Sequence, residues 1–230
     1  PTLPDGEREA KSIDDLQTVL ARVGRQIAVS LDSTASRAEH SLTHDKPRFA
    51  FFQVFQPRGG GKRQAPTFDV IAPGVAKHEE EIVLAPGAEP AADPNLVLRV
   101  AVAAAEFGLP IAPGTLRNLK KCPIGDRNWT DESRELFIRL LASGPELLNV
   151  WEDIDFIDVP GKLIHEWLGV RNRPSASAAH RYTIDRHMVE VVTRLGRETP
   201  SGGRYDDRHY EALLLAGILH DIGKRPGVAN

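Results

Sequence analysis

The chain has 230 residues, 41% of them apolar and 27% charged, enough to bury one large core or two modest ones. Its 29 basic and 32 acidic side chains leave a formal net charge of −3, which gives no electrostatic drive toward nucleic acid or anionic lipid. The single cysteine, Cys122, excludes an internal disulfide framework, and no apolar run approaches the ~20 residues that span a bilayer, so a cytoplasmic protein is expected.

From Ser12 onward, Ile13, Leu16, Val19, Leu20, Val23, Ile27 and Leu31 recur at three- and four-residue intervals. This predicts a long amphipathic helix with Ser12 as its N-cap and Asp14 and Asp15 favourable in the first turn. Residues 33–66 are polar and basic around "PRGGGKRQAP" and read as a mobile connection broken by an apolar patch at Phe49–Phe55. Within it, "GGGKR" lacks the strand-to-helix setting of a phosphate loop, so Lys62 and Arg63 are read as linker. "FDVIAPGVAKHEEEIVLAPG" places two β-prone runs around a proline-glycine turn and predicts a small hairpin at about 67–84.

Helices resume after Pro90. Asp93-Pro94 reads as N-cap and first position of one, and Gly108-Leu109-Pro110 as its end. Thr130 reads as the N-cap of another that Gly144 stops, and "GPELLNVWEDID" and "VPGKLIHEWLGV" as two short ones. Thr183 to about Arg197 and Asp206 to about Ile222 supply the last two. Trp129, Trp151 and Trp167 fall at helical positions and are expected in the core; His78, His165 and His209 are expected at the surface or in packing. The fold class is therefore mainly α, a helical bundle with one small hairpin. Composition changes at 170–180, "VRNRPSASAAH", which divides the chain into 1–169 and 170–230.

Two His-Asp pairs occur. His44-Asp45 lies in a polar stretch before a proline and reads as solvated. His220-Asp221 ends the apolar run "EALLLAGIL", which places a carboxylate at a core boundary, where its charge needs a partner or a cation. On the preceding helix Ile184, Met188, Val191 and Leu195 define a buried stripe, and His187 lies on it. Two adjacent helices would bring His187, His220 and Asp221 to one point, a donor set that suits zinc, manganese or iron. The plainer alternative is a pair of hydrogen-bonded core histidines beside a helix-end aspartate.

The residues "YTIDRHMVEVV" followed by "LLLAGILHDIGK" resemble the start of a metal-dependent phosphohydrolase domain of the HD superfamily. With the upstream stretches "IAPGVAKHEEEIVLAPGAEPAADPNLVLRVAVAAAEFGLPIAPGTLRNL" and "ELFIRLLASGPELLNVWEDIDFIDVPGKLIHEW", the chain is similar to the bifunctional PII uridylyltransferase/uridylyl-removing family over most of residues 12–224. That resemblance implies that 1–169 is the helical region following a nucleotidyltransferase domain and that 170–230 is the first part of an HD domain. It assigns His187, His220 and Asp221 as ligands of a divalent metal (Mn, Fe, Zn or Mg) and Lys224 as a cation on the substrate phosphate. Arg181, at the mouth of the site, is a further phosphate candidate. Lys224 also suits a purely local role at a helix C-terminus.

The family's transferase centre uses a Gly-Ser motif and an Asp-x-Asp that hold magnesium. No Gly-Ser pair occurs here, and Asp153-Ile154-Asp155 lies in a helical segment and reads as surface or helix-end carboxylates. The magnesium site is thus expected before residue 1. The resemblance further implies PII signal protein as the partner, glutamine as a regulator acting through other domains, and removal of uridylyl or adenylyl groups from a tyrosine of PII. Another HD phosphohydrolase, acting on guanosine tetraphosphate or nucleotides, and an inert helical docking scaffold are the competing readings.

Overall fold

A computed structural model describes residues 12–44, 67–124, 129–175, 182–196 and 207–225. The expected patch at Phe49–Phe55, Lys62, Arg63 and Arg181 lie outside them.

Helix α1 spans Ile13–His44. Ser12 caps it as expected, its Oγ accepting the Asp15 N–H at 3.1 Å. The helix runs past residue 33, where a loop was expected to begin. Polarity misled here: between Gly24 and Pro47 no residue breaks a helix. The hydroxyls of Ser30 and Thr34 bond back to the carbonyls of Gln26 and Ser30, each at 2.7 Å, and are compatible with its continuing. The apolar stripe of α1 faces outward, with Ile13 at 76% and Leu20 at 61% exposure.

Strands β1 (Asp69–Ala72), β2 (Val75–His78) and β3 (Glu81–Leu84) form an antiparallel sheet in that order. One hairpin was expected and two are present. The first turn uses Gly74 at φ +76°, where a Cβ would come within 2.8 Å of Leu96 Cδ1. The second turns at Glu79, with φ 53°, and Val75 pairs with Leu84 across it. The outer edge of β3 is held at Ile82, which bonds Pro110 O at 2.9 Å and receives the Ala112 N–H at 3.0 Å.

Helix α2 (Leu96–Phe107) is the central element, with Leu96–Leu98 and Val100–Ala105 all buried. It starts two residues later than expected, because Asp93 Oδ1 accepts the Asn95 N–H at 3.0 Å in a turn that precedes it. Gly108, at φ 61°, ends it as anticipated. Helix α3 (Pro113–Leu119), which the sequence reading did not include, follows with proline in its first turn. Helix α4 (Asp131–Leu141) is capped by Thr130, whose Oγ1 accepts the Ser133 N–H at 3.1 Å. Arg99 joins these parts, bonding Asp93 at 2.7 Å, Glu132 at 2.9 Å and the Pro73 carbonyl.

A 3-10 turn, Gly144–Glu146, leads into α5 (Leu147–Phe156). Two short helices follow, α6 (Val159–Leu163) and α7 (Trp167–Val170). Trp151 and Trp167 are buried and meet edge to face at 5.2 Å. Trp129 is 43% exposed, contrary to expectation; it precedes α4 and presents only one side to Phe137, 5.1 Å away. Helices α8 (Ile184–Leu195) and α9 (Asp207–Leu219) are the last two among the described residues. The apolar core runs without a break from Val75 to Ile218, across the change of composition at 170–180.

Candidate metal centre

Helices α8 and α9 approach closely because α9 carries Gly217 at their contact. A Cβ there would lie 2.8 Å from Leu195 Cδ1 and 3.1 Å from Val192 Cγ2. One turn further along, the same closeness sets His187 against His220. Their Nε2 atoms are 3.3 Å apart and their rings meet at 75°, with centroids 5.2 Å apart.

The local geometry of His220 follows from the end of its helix. Helix α9 stops at Leu219, leaving its last carbonyls without helical donors. His220 turns its Nδ1 to the Gly217 carbonyl, 2.8 Å away. With Nδ1 as donor, Nε2 carries the lone pair, and that lone pair is directed toward His187. Asp221 brings Oδ2 to 3.6 Å from His220 Nε2. One ligand atom from each of His187, His220 and Asp221 lies within 4.8 Å of the others.

The donor set fits a divalent cation. Two ligand atoms bound to one ion at 2.0–2.2 Å stand roughly 3.0–3.5 Å apart, and the two imidazole nitrogens already do so. A carboxylate beside two neutral imidazoles suits zinc, manganese or iron. Asp221 has a second neighbour: Lys224 Nζ lies 2.8 Å from Oδ2, while 46% of the lysine side chain stays open to solvent. The cluster is accessible, with His220 36% exposed and the Asp221 side chain 12% exposed.

Of the other histidines considered, His165 and His209 are exposed and His78 is half-buried, with Nδ1 3.0 Å from the Thr67 carbonyl. Asp153 and Asp155 depart from the surface reading. Asp153 is half-buried against a cleft of about 960 Å³ between α1, α3 and α5. Burial pushes its carboxyl up to about 7, with Glu152 and Asp32 adding to the rise.

Asp155 is 1% exposed and belongs to an ionic cluster that sequence reasoning missed. Arg25 of α1 places Nη1 3.2 Å from Asp155 Oδ2 and 2.9 Å from Asp185 Oδ2, and Nε 3.0 Å from Glu152. Arg171 reaches the Asp155 carboxylate at 3.0 Å and Arg186 reaches Glu152 at 2.6 Å. A faint signal existed. Asp155 follows Trp151 by four residues, and so falls on the buried side of α5.

The relatives of the chain agree with the resemblance carried by its motifs. It is 39% identical over 213 residues to a bifunctional uridylyltransferase/uridylyl-removing enzyme of Streptomyces coelicolor, a match covering 92% of this chain and 25% of that protein. The protein of the same description from Mycobacterium tuberculosis is 33% identical over 214 residues, covering 93% of this chain and 24% of its own. A third, from Corynebacterium glutamicum, is 33% identical over 132 residues, 57% of this chain and 18% of that protein. No family model and no solved structure matches. The chain spans about a quarter of the length of the first two relatives. Over more than nine-tenths of its length it is homologous to part of the bifunctional uridylyltransferase/uridylyl-removing enzymes.

Proposed function

We propose that this chain is the central part of an enzyme that attaches nucleotidyl groups to the signal protein PII and removes them. On this reading 1–169 is the helical region after the transferase domain and 170–230 begins the HD domain that performs removal. The magnesium centre of attachment and the glutamine-sensing parts belong to other regions of the full-length protein. The observation that carries the reading is the meeting of His187, His220 and Asp221, with Lys224 beside them, in a chain of this homology.

The reaction is hydrolysis of a phosphodiester between a nucleotide and a tyrosine of PII. Water oxygen bonds to phosphorus, the tyrosyl oxygen leaves and takes a proton, and a nucleoside monophosphate is released. His187, His220 and Asp221 would hold a divalent cation, which when bound would supply charge neutralisation at the phosphoryl oxygens and an acidified water. The residues of this chain prepare that site. The Gly217 carbonyl keeps His220 in the tautomer with Nε2 free to bind. Lys224 has three donors, so it can hold Asp221 and still offer a proton to a phosphate oxygen. Arg181 is proposed as a second cation on the phosphate.

The test is the full-length enzyme with His220→Ala and Asp221→Ala together, followed separately for gain and loss of label on PII. Removal becomes unmeasurable while attachment continues near the wild-type rate. Release of label at the wild-type rate would make the pair structural and end the proposal.

A further inference from the structure

Helix α8 carries His187 on one side and Asp185 on another, two residues earlier. Asp185 is 2% exposed, yet its Oδ1 has no hydrogen-bond partner among the described residues. Its Oδ2 accepts from Arg25 at 2.9 Å, a residue 160 positions away in sequence. The same guanidinium Nη1 contacts Asp155 of α5, also buried. Two buried carboxylates therefore face each other between α5 and α8; Arg25 stands between them, and of the two Arg171 contacts Asp155 alone. Without Arg25, Asp155 keeps Arg171 but Asp185 loses its 2.9 Å ion pair, and at low local dielectric the two carboxylates then repel more strongly.

The first turn of α8 is also held by the Ile184 N–H, which donates to the Arg173 carbonyl at 2.9 Å, and by the buried Ile184 side chain, but neither neutralises Asp185. Thr183 makes no side-chain cap bond, although Arg186 reaches Glu152. His187 lies within that turn, its N–H bonded to Thr183 O at 2.8 Å.

We propose that Arg25 is a positioning residue for the HD centre: by bridging Asp155 and Asp185 it seats the first turn of α8 on α5 and so aims His187 at His220. This rests on reading His187, His220 and Asp221 as a metal centre, but its first readout needs no metal. Helix α1 thereby acts on the site through α8.

The experiment uses the 230-residue chain with Arg25→Gln and with Arg25→Gln plus Asp185→Asn. The contact between the two imidazole rings is followed by NMR cross-relaxation, and Mn²⁺ affinity by calorimetry. With Arg25→Gln the ring–ring contact is lost and Mn²⁺ binds about tenfold more weakly or worse, as when an outer partner of a metal ligand is removed. Adding Asp185→Asn abolishes the repulsion and restores both. An intact ring–ring contact in folded Arg25→Gln overturns the proposal. If Arg25→Gln does not fold, the double variant decides: fold and ring–ring contact regained support the proposal, whereas a folded chain without the contact, or no fold, overturns it. A wild-type chain that shows the contact and its loss in Arg25→Gln, but binds no Mn²⁺, keeps Arg25 as the positioner and refutes the metal reading instead.

Discussion

On one side of α8, Asp185 is closed into a cluster where Arg25, Arg171 and Arg186 meet Glu152, Asp155 and Asp185. On the other side, His187 faces His220 and Asp221 in the open, with Lys224 the nearest cation. The closed cluster pairs its guanidinium and carboxylate charges with one another, and Asp155 and Asp185 are almost wholly shut off from solvent. The open cluster directs an imidazole lone pair and a carboxylate at a shared point with solvent beside it. Position on one helix does not decide function; what differs is whether the polar groups are already paired by the protein.

Removing one partner separates the two most sharply. Asp155→Ala takes from Arg25 and Arg171 the buried carboxylate they share, leaving Arg171 only the exposed carboxylate of Asp158, and costs about 3 kcal/mol of stability, measured by urea unfolding. A loss below about 1 kcal/mol would mean that the closed cluster is solvated.

Gly196→Ala tests the other end of α8. A Cβ there would lie 2.7 Å from Gly144 N and 2.9 Å from its Cα, both backbone, so the 3-10 turn must move. The expected cost is about 1–3 kcal/mol, with metal affinity less affected than by any change at the histidines.

Asp153 gives a pH signature that belongs to neither cluster. Its folded-state carboxyl titrates at about 7, above its ordinary value. The folded chain therefore holds a proton that the unfolded chain releases, so this residue's contribution to stability falls as pH rises from about 4 to about 7. Asp153→Asn should flatten the wild-type curve over that window by about 2 kcal/mol, after allowance for partial exposure. Parallel curves would show that Asp153 is not desolvated.

The smallest effect on folding belongs to the candidate site. Without metal, His220→Ala should change stability by no more than about 0.5 kcal/mol, because the ring is 36% exposed. A loss as large as that for Asp155→Ala would place the histidines among the structural groups.

The open cluster was legible in the sequence and the closed one was not. His220-Asp221 ends an apolar run, and His187 shares a periodic stripe with Ile184 and Met188, so short-range pattern brought the three together. Arg25 meets Asp155 and Asp185 across 130 and 160 positions, and no local spacing encodes that. Caps were readable at Ser12 and Thr130, because a hydroxyl before a helical run has a local job. The third strand was missed since its turn places Glu79 at positive φ, a position usually marked by glycine or asparagine. Helix α1 was cut short at 33 because polar residues were taken for loop, although nothing there ends a helix.

The most direct test of the central claim is Mn²⁺ and Zn²⁺ binding to the 230-residue chain by calorimetry, beside His187→Ala and His220→Ala. The account predicts one ion per chain in the wild type, at least about tenfold weaker binding in either variant, and unchanged far-ultraviolet circular dichroism in all three. Equal binding by the wild type and both variants, or none by any, would contradict it.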